Sequence, residues 1–197
     1  RLSGTSDIAI GAPIAGRGHA ALDRVVGMFV NTLVLRAEVD PGMSFDALLA
    51  EVRTTDLDAF AHADAPFEAV VDAVDPVRSE AFAPLTQVWL SVNQSSGVNA
   101  DAEVYDDGTV RMEALDLAAP RANVDLLMTL DTTGDDQEWN GALVFATDLF
   151  DPRTAQSMAD RFVVLLSEIC ADPSAVVGDL PWLTDEERTQ LIGWSHP

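Results

Sequence analysis

Hydrophobic and polar positions change period several times along the chain, and each change marks an element. Ile8 to Ile10 lie in an apolar run ending at Gly11 and Pro13. It predicts a strand, a loop and then a short helix over about Ala20–Val26. Phe29 to Leu35 is apolar on both alternating faces, the pattern of a strand covered on both sides. Pro41 and Gly42 make a turn. Ser44 is placed to cap a helix with the stripe Phe45, Leu48, Leu49, Val52 and Ala59. Pro66 opens a second short helix with Phe67, Val70, Val71 and Val74 inward, and Asp75-Pro76 ends it.

Leu85 to Asn93 reads as a strand, and the polar Gly97 to Gly108 as loop or edge structure. Val124–Leu130 and Trp139–Phe145 read as a hairpin around Thr133-Gly134-Asp135-Asp136. Asp151-Pro152 starts the most regular helix, with Ala155, Met158, Ala159, Phe162, Leu165, Leu166 and Ile169 on one side and Cys170 continuing it. Thr184 to Glu187 is a capping box before a terminal helix through Leu191 and Ile192. No internal repeat is present. This order predicts an α/β (α+β) chain, with one mixed β-sheet flanked by helices.

With 197 residues, 48% of them hydrophobic, the chain can fill the core of a domain. Asp+Glu number 33 against 11 basic residues, all Arg, for a formal charge of -22. Such a surface repels nucleic-acid backbones and anionic lipid. Without lysine there is neither Schiff-base nor P-loop chemistry. A single cysteine, Cys170, excludes an internal disulfide and a cysteine-built zinc site. No apolar run approaches the ~20 residues of a membrane span, and Arg1 to Ser6 has no signal core. These features point to a soluble, cytoplasmic chain. Its abrupt start suits a piece of something larger.

Candidate sites are few. Gly11 to Gly18 (GAPIAGRG) resembles a phosphate-binding loop, but Arg17 replaces the lysine, Gly18 the metal-binding hydroxyl, and Pro13 removes an N–H. His19, His62 and His196 lie far apart, none with a partner at i+4, so no metal pair exists. His62 sits at the junction of two helices, where hydrogen bonding is its expected role. No G-x-S-x-G elbow supports serine catalysis. Asp101 to Glu113 fails as a calcium loop, because Ala114 stands where the bidentate glutamate belongs. Asn31, in an otherwise apolar strand, needs a hydrogen-bond partner, since a buried unpaired amide costs a few kcal/mol. Val88, Leu90 and Val92 alternate with Gln87, Trp89, Ser91 and Asn93. That second face is either exposed sheet or the wall of a polar channel.

Several motifs then occur in order. VGMFVNTLVLR (Val26–Arg36), HADAPFE (His62–Glu68) and Asp75-Pro76-Val77-Arg78-Ser79 followed by Pro84-Leu85-Thr86-Gln87-Val88 resemble the late motifs of condensation domains from nonribosomal peptide synthetases. GAPIAGR (Gly11–Arg17), ATDLFD (Ala146–Asp151) and LPWLTDEERTQLIGW (Leu180–Trp194) fit the same family. The resemblance covers nearly the whole chain. It implies a chloramphenicol-acetyltransferase-like lobe, the C-terminal of two, over residues 1–179, with residues 180–197 starting the linker to the next domain.

It also implies amide-bond formation between two carrier-bound thioesters in bacterial antibiotic biosynthesis. The family's catalytic signature, two adjacent histidines followed by Asp-Gly after a three-residue gap, belongs to the other lobe. No His-His pair occurs here, so no catalytic residue is expected in this chain. By resemblance Gln87, Trp89, Ser91, Asn93 and Asn31 line the substrate tunnel. Arg17 pairs with the signature's aspartate across the lobe interface. His62, Asp64, Pro66, Phe67 and Arg78 are structural members of the motifs. No metal and no directly bound cofactor is expected; phosphopantetheine arrives on carrier proteins. The implied partners are the N-terminal lobe, peptidyl or acyl carrier proteins and an adenylation domain. Phe82 and Ala83 stand where Arg and a polar residue often precede Pro-Leu, Ala63 follows His62 where glutamine is common, and Thr86 replaces a common Phe. These departures motivate a rival reading, a non-catalytic condensation-like domain that recruits tailoring enzymes.

Overall fold

The computed structural model describes residues 4–18, 20–22, 24–95, 104–106, 111–113, 122–133 and 139–195. Its frame is a five-stranded sheet of β1 (Asp7–Ile14), β2 (Asn31–Glu38), β3 (Val88–Ser95), β6 (Leu126–Thr133) and β7 (Trp139–Phe145), ordered β2-β1-β3-β6-β7. A separate antiparallel pair joins β4 (Val104–Asp106) to β5 (Arg111–Glu113). The central strands β1, β3 and β6 are parallel, and both outer pairings are antiparallel. The expected mixed sheet is therefore present. The two-sided apolar pattern of Phe29–Leu35 nevertheless belongs to an edge strand. Of its residues only Leu33 is fully buried, because α1 (Phe45–Ala61) covers one face and no strand covers the outer edge.

Period and caps placed the helices well. Ser44 Oγ accepts from Ala47 N at 3.3 Å and starts α1. Asp151 accepts from Thr154 N at 2.9 Å and starts α3 (Pro152–Ala171). Those bonds to the ionised form hold the Asp151 carboxyl below its usual pKa. Thr184 and Glu187 exchange both capping-box bonds, at 3.1 and 3.2 Å, ahead of α4 (Asp185–Ser195). α2 (Phe67–Val74) has Pro66 at its N-cap. Only Phe67 and Val71 face inward there; Val70 and Val74 are exposed, as are Leu49 in α1 and Leu166 and Cys170 in α3. Helix period sets which residues share a face, and the neighbours present decide how wide a stripe they cover.

The helix expected over Ala20–Val26 is one 3-10 turn, Ala20–Leu22. Arg17 binds across the segment that follows. Its guanidinium donates to the carbonyls of Leu22, Val25 (3.0 Å) and Gly27 (3.4 Å) and stacks over the Phe29 ring at 4.3 Å. Leu22 O also accepts from Val25 N at 3.0 Å, which closes the turn. Gly16, at φ 54, lies so close to Phe29 that a Cβ would sit 1.7 Å from its carbonyl oxygen. The loop is thus a braced extended segment, presenting Val26 (100% exposed) and Met28 (87%) outward.

Candidate functional site

Strand register sorts the sheet residues into two faces. Ala12 opposes Leu33 and Ile14 opposes Asn31, while Gly11 opposes Val34 and bridges Trp89. Asn31 and Leu33 therefore share the face that carries α1. Trp89, Ser91 and Asn93 share the opposite face. Val88–Asn93 alternates as expected, but Leu85–Gln87, expected in the same strand, lies ahead of β3, which begins at Val88. Ahead of it Leu85 is held at φ 65, a costly conformation for a branched side chain, and Thr86 is buried to 2% with Oγ1 2.9 Å from Val88 O and 3.2 Å from Ala9 O. Val88 and Val92, on the other face from Trp89, are 41% and 52% exposed. α1 rests on β2 and α3 on β7, the two outer strands, and among the described residues neither helix reaches the middle of the sheet there.

The proposed wall residues occupy different positions. The Trp89 ring lies over Gly11, where a Cβ would come within 2.6 Å of it. Its buried Nε1–H has no acceptor among the described residues. Ser91 Oγ stands 3.3 Å from Asn93 Oδ1, and Asn93 Nδ2 donates to Asp131 Oδ1 at 2.9 Å. Gln87 directs its amide away from this row, to Ala83 O at 3.1 Å. Asn31 is corrected more strongly. Its Nδ2 donates to Ala63 O and Ala65 O at 3.0 and 2.8 Å, and its Oδ1 accepts from Phe67 N at 3.1 Å. It ties β2 to the α1–α2 junction on the other face, so it cannot line the same wall.

The remaining motif residues surround that junction. His62 caps α1 through its backbone N–H, and its Nδ1 lies 2.8 Å from Asp58 O. Asp64 is exposed. Arg78 pairs with Asp72 at 2.5 Å, both largely exposed, a contact of small energetic weight. Arg17 has backbone carbonyls and a ring as partners, and no carboxylate among the described residues. His19, His196 and the turn at Asp135-Asp136 lie outside the described residues. Two shallow surface clefts border α1, one lined by Glu38, Asp40, Met43 and Glu51, the other by Ala50, Thr54 and Thr55. Neither touches the Trp89 row. Sequence reading missed Asp131, whose only local signal is a polar residue ending an apolar run; its place beside Asn93 is set by the β3–β6 register.

The sheet order, the flanking helices and the motif junction define the α+β fold of chloramphenicol-acetyltransferase-like domains. Among solved structures, a four-domain nonribosomal peptide synthetase bound to AMP and glycine matches over 95% of this chain and 15% of its own, with a TM-score of 0.83 at 23% identity. The X-domain in complex with OxyB, from teicoplanin biosynthesis, matches over 91% of this chain and 39% of its own, with a TM-score of 0.78 at 27% identity.

The condensation domain profile matches residues 1–192, and the chain belongs to that family. A probable non-canonical nonribosomal peptide synthetase, CymA, of Salinispora arenicola is 41% identical over 99% of this chain. The chain spans 2% of that relative's length. Among the described residues no helix is long and apolar enough to cross a membrane.

Proposed function

We propose that this chain is the C-terminal lobe of a condensation domain that joins two carrier-bound substrates. The acceptor amine attacks the donor thioester carbonyl. A C–N bond forms, the C–S bond breaks, and the phosphopantetheine thiol leaves with the proton lost by the amine. The catalytic histidine comes from the N-terminal lobe, since this chain has no His-His pair. This lobe supplies one wall of the tunnel through Trp89, Ser91 and Asn93, with Gln87 bracing the approach to β3.

The observation that carries this reading is the hydrogen-bonded polar row on the sheet face opposite α1, next to an indole N–H that lacks an acceptor among the described residues. A buried unpaired donor costs about 1–3 kcal/mol, so a whole domain has reason to complete it. The exposed loop at Val26 and Met28 fits a surface covered by a second lobe. Arg17 retains donors beyond those bracing the loop, and we assign these to the aspartate of the missing signature. Residues 180–197 begin the connection to an adenylation domain, anchored by buried Leu180 and by Arg161, which donates to Glu187 at 2.9 and 2.6 Å.

The likeness to the teicoplanin X-domain supports a second reading, a non-catalytic platform that recruits a tailoring enzyme. One experiment separates the two. The whole domain containing this chain is incubated with a loaded donor and a loaded acceptor carrier protein, and amide product is followed by mass spectrometry. Product from the whole domain and none from the 197-residue chain alone is the expected result. Product from the chain alone, or none from a domain with an intact His-His signature, overturns the proposal.

A further inference from the structure

Asp131 stands opposite Asn93 in the parallel register of β3 and β6. Both side chains are exposed, so packing does not decide which way the Asn93 amide faces. An ionised carboxylate can only accept hydrogen bonds. The 2.9 Å bond from Asn93 Nδ2 to Asp131 Oδ1 therefore turns the amide nitrogen toward β6 and leaves Asn93 Oδ1 on the Ser91 side. The Ser91 hydroxyl, at 3.3 Å, is far for an O–H donor, and a carbonyl oxygen has two lone pairs, so Oδ1 retains accepting capacity. Thr132 Oγ1 reaches the Asn93 carbonyl at 3.4 Å and steadies the same point of the strand.

We infer that Asp131 is a positioning residue that locks Asn93 with its carbonyl oxygen toward the substrate, so that the wall accepts an N–H of the carrier-borne acceptor. This rests on the channel reading above. The ligand class is an aminoacyl thioester on a phosphopantetheine arm. Its N–H donors within reach of the reacting end come from two sources, the nucleophilic amine and the arm amide nearest the thiol. Without the lock Asn93 can present its NH2 group instead, and two donors then face each other.

The test uses the whole condensation domain, a loaded donor carrier and an acceptor carrier loaded with alanine. Asp131→Glu keeps an acceptor beside Asn93 and should keep KM for the acceptor close to wild type. Asp131→Lys offers only donors, so Asn93 must turn its oxygen away from the substrate. KM should rise about tenfold, the size expected for one lost hydrogen bond facing an unpaired group, with the melting temperature unchanged. Asn93→Asp in the Asp131→Lys background has acceptors at both ends and should restore KM.

A pantetheine whose amide nearest the thiol is replaced by an ester separates the two sources. If the Asp131→Lys penalty disappears with that arm, the arm amide is the donor; if it persists, the amine is. Unchanged KM in Asp131→Lys, while the wild-type domain condenses normally, overturns the lock and leaves the proposed function standing. Failure of Asn93→Asp to rescue also overturns it. A wild-type domain that forms no amide removes both.

Discussion

An alanine at position 11 would place its Cβ 2.6 Å from the Trp89 indole, a rigid ring with no flexible end to move aside. Gly11 is thus required by contact rather than by a turn. Gly11→Ala should destabilise the chain by about 1–3 kcal/mol, as overpacking does, read as a lower urea midpoint at unchanged slope. A neutral result would mean the indole is free to swing out. Gly16 has a different constraint, since its φ of 54 and the nearby Phe29 carbonyl both exclude a side chain. Arg17 shows how one residue type can suit two readings. Its guanidinium was expected to seek a carboxylate, and its planar fork equally suits several carbonyls and a ring face.

Helix termini were the most legible elements, because a cap is a contact within three or four residues. The stripe of α1 was less so. Asp56 takes an inward place between Val52 and Ala59, and its partial burial raises the carboxyl pKa. α4 is held to α3 by one half-buried ion pair, Arg161–Glu187, with Arg161 5.0 Å from the Trp182 ring. The Arg161 hydrogen bonds are the main reason that the Glu187 carboxyl titrates below its usual range. A folded pKa below the unfolded one stabilises above the unfolded value and is lost as pH falls through the folded value. Between about pH 6 and about pH 3, Trp182 fluorescence should report undocking of α4 in the acid part of that window. Glu187→Gln should weaken docking at neutral pH and flatten the acid change. An acid limb identical in Glu187→Gln and wild type would assign it to other carboxylates.

At the scale of the molecule, several large apolar side chains lie on the surface. Val26 and Met28 are nearly or fully exposed, and Val77, Leu149 and Trp194 each exceed half exposure. Side chains this exposed add little to folding, so Val26→Ser with Met28→Ser should leave the melting temperature unchanged. The same pair should reduce concentration-dependent self-association of the isolated chain, measured by light scattering. A wild-type chain that is monomeric at every concentration would count against a covered loop. The acidic surface adds long-range repulsion between copies, so added salt should promote association by screening it.

The sequence by itself determined the order along the chain of the five sheet strands and of α1 to α4, the helix caps, the alternation of Trp89, Ser91 and Asn93 with Val88, Leu90 and Val92, and, through its ordered motifs, the family. All of these depend on local spacing or on residue identity. Only the tertiary structure decided that Asn31 ties a strand to a helix junction, that Arg17 braces a loop where a helix was expected, and that Asp131 stands against Asn93. Each of the three depends on residues brought together by folding: Asn31 meets carbonyls more than thirty residues away, and parallel strands meet in a register set by packing rather than by a turn.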